Sequence, residues 1–207
     1  MMNGEIGITK EVRMTNDDFS SLDRSLFIRR VLIVLVLLLN VFQCPAQTDI
    51  SPEYRLKAVY LLRFVEFVQW PPEAFEGTNA PIIIGVLGKD PFGNALDETV
   101  ANEKLGGHPI LIQRYHNLNE ISKCHVLFVS VSEQRRFPQI LRTLKGKSIL
   151  TVGDSEDFAI NGGMIRFISE GGKIRFRINE TASREAGLTI SSKLLRLAEI
   201  VKTDKPQ

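Results

Sequence analysis

Cysteine is scarce in this chain of 207 residues: Cys44 and Cys124 are the only two. That excludes a disulfide scaffold and a metal site built on paired cysteines. Histidine is nearly as rare. His108, His116 and His125 lie at a strand start, a strand end and inside a strand, and none pairs at metal spacing with Cys, Asp or another His. No metal and no cofactor are expected. No Ser, Cys or Lys stands in a recognisable nucleophile context, so an enzyme is not expected either. An excess of one charge is also missing, with 26 Lys and Arg against 24 Asp and Glu. A near-neutral balance argues against a nucleic-acid binder. There are no internal repeats and no low-complexity tract.

Long apolar runs are few, and the most apolar stretch falls early. Arg29-Arg30 precedes Val31 to Phe42, and Gln43-Cys-Pro-Ala46 follows. A basic segment, an apolar core shorter than the ~20 residues of a membrane span, and small residues before Ala46 read as a secretory signal peptide cut after Ala46. A single transmembrane anchor is the alternative. Residues 1–46 are therefore assigned as a signal peptide with a long polar n-region, and Met14 offers an alternative start. Cleavage removes as many acidic as basic side chains, so the remainder stays near neutral. Cys124 is then the sole thiol; it opens an apolar run and reads as buried and inert.

The rest of the chain is organised around Ile82 to Leu87, between Pro81 and Gly88. Such a run reads as a strand buried on both faces. Asp90 and Pro91 can start a helix carrying Phe92, Leu96 and Val100 at i, i+4 and i+8. Strand, turn and helix open an α/β unit. Before it, Ser51 caps a helix with Pro52 at its first position, running to about Gln69. Its apolar residues cover more than one face, so it is buried on two sides. After it come strands at 109–115, 125–131 and 148–152, and a helix from Ser132 to Lys145. Gly162-Gly163 and Gly171-Gly172 bracket two alternating strands, Met164 to Ile168 and Lys173 to Ile178, which read as a hairpin with one wet face. A helical segment from Glu180 and a last helix over 191–201 follow. The expected fold is α/β: a mostly parallel or mixed sheet of about five to six strands flanked by helices, with a C-terminal hairpin and helix.

Three motifs were weighed for chemistry. Gly88 to Gly93 sits where a phosphate loop would, but it lacks the GK[ST] ending, and Pro91 removes an amide; a plain strand-to-helix turn is the reading. Asp154, Glu156 and Asp157 form an acidic loop without EF-hand spacing, read as solvated. Arg166, Lys173, Arg175 and Arg177 form a basic stripe. It is either a solvated edge that discourages aggregation or a site for an acidic partner.

The chain also resembles the YfiR-like family of exported bacterial proteins. The resemblance rests on Leu56 to Phe64, Val68-Gln-Trp-Pro71, Ile84 to Phe92, Gly107-His-Pro109 and Cys124 to Val129. It continues through Ile149 to Asp154, Phe158 to Gly163, Ile174 to Asn179 and Gly187 to Ala198. This ordered set covers about 50–201 and assigns 47–207 as a YfiR-like α/β domain. The resemblance implies a periplasmic, non-enzymatic regulator, expected as a homodimer. It implies binding and repression of the exported sensor domain of a membrane signalling protein such as a diguanylate cyclase, and so control of cyclic-di-GMP and biofilm formation. Relatives use intradomain disulfides to tie activity to redox state, and a lone Cys124 cannot form one.

The second reading is a periplasmic sensor module with an unidentified small-molecule ligand in a cleft beside the strand ends. Under the first reading, the two-sided apolar helix suggests a homodimer or partner interface through Phe64 and Phe67, with Trp70 at its rim. Left exposed, such aromatics would form a sticky patch. The competing account is that the last helix covers them within one chain.

Overall fold

The computed structural model describes residues 50–77 and 79–201, together with Arg29, Arg30, Leu32 and Ile33. The chain divides into two units, Met1–Thr48 and Asp49–Gln207. In the first, the four described positions are helical and exposed. The signal-peptide cut after Ala46 and the rest of that segment lie outside the described residues. No helix among the described residues is long and apolar enough to cross a membrane.

The second unit opens with α1, Pro52–Phe67, capped by Ser51, whose Oγ accepts from the Glu53 amide at 3.3 Å. The helix ends before Gln69 because the chain turns extended at Val68. There β1, Val68–Gln69, pairs antiparallel with β9, Thr189–Ile190. The two prolines that follow Trp70 would in any case oppose further helix.

The main sheet holds eight strands. In chain order they are β2 (Ile82–Leu87), β3 (Lys104–Leu105), β4 (His108–Tyr115), β5 (Val126–Val129), β6 (Leu150–Gly153), β7 (Ile165–Glu170), β8 (Lys173–Ile178) and β10 (Ala198–Ile200). Their spatial order is β10-β8-β7-β6-β5-β2-β4-β3. The central five, β4-β2-β5-β6-β7, are mutually parallel, as βαβ crossovers require. The flanks are antiparallel β3 on β4, and antiparallel β8 on β7 followed by parallel β10 on β8. The helices between are α2 (Asn94–Val100), α3 (Phe137–Leu144), α4 (Glu180–Glu185) and α5 (Ser192–Leu195).

Each sheet face has its own core. On one, Ile82, Ile84, Val86, Val126, Phe128, Val152 and Phe167 meet α1 and α2. On the other, Leu87, Leu127 and Val129 meet Phe137, Ile140 and Leu144 of α3. Gly85 in mid-β2 is required by packing: a Cβ there would lie 2.6 Å from the Tyr115 ring and 2.9 Å from Cys124 Sγ.

Four local expectations are corrected. The sheet has eight strands rather than five to six. The helix expected over 191–201 is a single turn, α5, after which the chain extends as β10. Leu194, Ala198 and Val201 fit a helical stripe, but β8 offers an unpaired edge. The pairing registers Ala198 with Phe176 and Ile200 with Ile178, and the Val201 amide donates to Ile178 O at 2.8 Å. Tertiary pairing overrides local propensity there. Asp90 is not a helix cap. Its Oδ1 accepts from the Phe92 amide at 2.7 Å in a tight turn, and α2 starts after Gly93. Ser130, not Ser132, caps the turn before α3; Ser132 Oγ instead accepts from the Lys89 amide at 2.9 Å.

Candidate functional site

The carboxyl ends of β2, β5 and β6 lie side by side, which is where open α/β sheets present their functional loops. After β2, Gly88 has φ +90°, and a Cβ on it would lie 2.5 Å from Ser132 Oγ. That closeness leaves no room for a side chain at position 88. After β6 comes Asp154, whose Oδ2 accepts from Tyr54 OH at 2.7 Å and Lys57 Nζ at 2.8 Å. Lys57 Nζ also lies 2.6 Å from Glu53 Oε1, and Ser169 Oγ donates to the same carboxylate at 2.6 Å. Lys57 is 2% exposed, its ammonium 4.4 Å from the centre of the Tyr54 ring.

The electrostatics make this network a lock. Burial, then the bond to Asp154, pushes the Tyr54 phenol far above its ordinary value, so it remains a donor. The bond from Lys57, then that from Ser169, holds Glu53 below the usual carboxylate range. Lys57 is engaged by two carboxylates, Glu53 and Asp154. The network fixes the first turns of α1 to the sheet. Beside it a cavity of about 360 Å³ opens, lined by Asp154, Val131 and β7.

The basic stripe lies on the face of the hairpin opposite Phe167 and Phe176, the two rings that pack on Phe64 of α1. Arg166 is opposite Arg177 in register, Ile168 opposite Arg175, and Glu170 opposite Lys173. Arg177 reaches Glu199 of β10 with both carboxylate oxygens, at 3.0 and 2.9 Å. Arg175 lies 3.7 Å from Glu170, with both side chains mostly exposed. Arg166 is half-buried, and among the described residues its Nε has no acceptor. The stripe thus carries four cations against Glu170 and Glu199.

The aromatic trio separates. Phe64 is 0% exposed, stacked on Phe167 at 5.6 Å and edge-on to Phe176 at 5.3 Å. The hairpin of its own chain covers it, not the last helix, so Phe64 has no surface to give a partner. This corrects its interface role. Phe67 and Trp70 are half-buried, and Trp70 Nε1 has no acceptor among the described residues.

At the opposite end of the sheet, His125 is buried with both ring nitrogens engaged. Nδ1 accepts from the Ile83 amide at 3.0 Å, and Nε2 donates to Ala74 O at 3.1 Å. Cys124 beside it is buried; its Sγ donates to Val126 O at 3.1 Å, and burial pushes the thiol up to about 12.

Sequence reasoning missed the lock around Asp154. One signal was present: Lys57 falls on the apolar stripe of α1, four residues before Leu61. A lysine in such a stripe needs a buried acid, and the acid came from the loop read as solvated.

Five parallel strands ordered β4-β2-β5-β6-β7, with helices on both faces, define a doubly wound α/β domain of the flavodoxin-like strand order. The YfiR/HmsC-like family model matches residues 54–199, and this chain belongs to that family. Among solved structures, it is similar to an ABC domain from Streptococcus pneumonia crystallised in complex with L-Trp. Identity is 14%, the TM-score is 0.49, and the match covers 70% of this chain and 60% of that one. Likeness at that level says nothing about a ligand here.

Proposed function

We propose that this chain is a periplasmic, non-enzymatic regulator. It binds the exported sensor domain of a membrane signalling protein, a diguanylate cyclase being the favoured class, and holds it inactive. The observation that carries this reading is the family match across 54–199, which spans nearly the whole described α/β unit. The apolar segment before Ala46 supports export. The stripe of Lys173, Arg175 and Arg177, on the hairpin face opposite Phe176 and α1, supports an acidic docking partner. Phe67 and Trp70 are the aromatics left to a homodimer or partner contact.

The test is genetic and biochemical. Deleting the gene should raise cellular cyclic-di-GMP and biofilm formation, and restoring it should reverse both. The product should fractionate with the periplasm and begin at Gln47. An unchanged cyclic-di-GMP level, or an intact product in the cytoplasm, rejects the reading.

A further inference from the structure

The segment joining β1 to β2 crosses the amino ends of the parallel strands, and two histidines hold it there. Phe75 lies between their rings, 5.0 Å from His108 and 5.0 Å from His125. His108 Nδ1 donates to Ala80 O at 2.6 Å, and His125 Nε2 donates to Ala74 O at 3.1 Å. Trp70 meets the His125 ring edge-on at 6.1 Å. Beside the segment a half-open cavity of about 400 Å³ is lined by Ala74 and Pro81 of the segment and by Ile83, Cys124, His125 and Ile149.

The bonds of His125 admit one protonation state. The Ile83 amide can only donate, so Nδ1 must present its lone pair. The Ala74 carbonyl can only accept, so Nε2 must carry the hydrogen. A proton on Nδ1 would set donor against donor inside a buried site. The ring must then turn, and turning breaks the bond to Ala74 and the stack on Phe75 together. We propose that residues 70–77 and 79–81 form an acid-released strap latched by neutral His125, whose opening uncovers the rest of Phe75 and Trp70 and widens the cavity beside them.

The charged groups facing the latch balance. Glu73 and Glu76 come from the strap itself, Lys123 from the approach to β5 and Lys147 from the approach to β6. Lys123 is paired with Glu76. The Cys124 thiol is uncharged across the working range. His108 is the second titratable ring, and its charge opposes that of His125. Burial, first, and this repulsion hold His125 below the ordinary imidazole value. The closed strap is therefore fully stabilised above about pH 6.5, the value of a freed ring. That stabilisation declines as the pH falls through the lower value of the latched ring.

Hydrogen exchange of the purified protein, read by mass spectrometry at pH 7.5 and 5.5 and corrected for intrinsic rates, tests this. Peptides covering 70–81 should exchange several-fold, up to about tenfold, faster at the lower pH while β2, β5 and β6 stay protected. His125→Gln retains a donor and an acceptor but does not titrate, and it should abolish the acid response. A proton NMR titration of the wild-type ring gives a check that needs no variant: the His125 midpoint should coincide with strap release. Protection of 70–81 that does not change with pH, an unchanged response in His125→Gln, release that follows His108 instead, or loss of protection throughout the sheet would each overturn the proposal. The strap rests on geometry alone, so its failure would leave the partner-binding reading standing.

Discussion

Replacing Phe64 with alanine decides whether the first helix serves the core or an interface. In the structure the ring is 0% exposed and lies against Phe167 and Phe176. Removing a buried Phe leaves a cavity and costs about 3–5 kcal/mol, including the loss of aromatic pairs worth about 0.5–1.5 kcal/mol each. Against a total stability of about 5–15 kcal/mol, that is a large fraction. With a urea m-value near 2 kcal/mol/M, the unfolding midpoint should fall by about 2 M. The assay is equilibrium urea unfolding followed by far-UV circular dichroism, with sedimentation run in parallel. A large midpoint shift with unchanged sedimentation is expected. A shift below about 0.5 M together with a change of oligomeric state would refute the packing argument and return Phe64 to an interface.

Three further outcomes are expected. Asp154→Ala removes an acceptor from Lys57, which is 2% exposed, and from the Tyr54 hydroxyl, leaving the ammonium with Glu53 alone; thermal or urea unfolding should show a loss of about 2–4 kcal/mol. Cys124, in a variant with Cys44→Ser, should resist an aromatic disulfide reagent at pH 8 until denaturant is added, because burial pushes its thiol up to about 12; full labelling of the folded protein would contradict this. Lys173→Glu with Arg175→Glu should leave stability within about 0.5 kcal/mol, since both side chains are exposed, and should weaken binding to the exported domain of the partner by tenfold or more. Equal binding by biolayer interferometry would make the stripe a solvated edge. Arg177 is unsuited to that experiment, because its pair with Glu199 also ties β10 to the sheet.

The elements that could be read from the sequence are those whose signal is local. β2, β5 and β6 are short apolar runs buried on both faces, and the run alone betrays them. The hairpin shows its alternation and its glycines. What escaped depends on partners far along the chain. β10 exists because β8 has a free edge, and nothing within residues 198–200 announces that. The Asp154 lock joins residues about 100 positions apart, and Phe64 is covered by residues more than a hundred positions later. The basic stripe was visible as an alternation. Its pairing with Glu199 was not, since that carboxylate sat in what looked like a helix. Only the order of motifs from Leu56 to Ala198 tied the chain to its family.

The docking of β10 against β8 sets a timetable for the chain. Synthesis delivers the amino end first, so β8 emerges with one side of its backbone unpaired. It stays so until α4, β9 and α5 have followed and residues 198–201 arrive to cover it. During that interval the hairpin is a template that any passing extended segment can join. The arrival of that segment, clasped by Arg177 and Glu199, ends the exposure. A chaperone that guards this protein during synthesis would therefore have its most important client surface on the outer side of β8, and its task would be complete once β10 is in place.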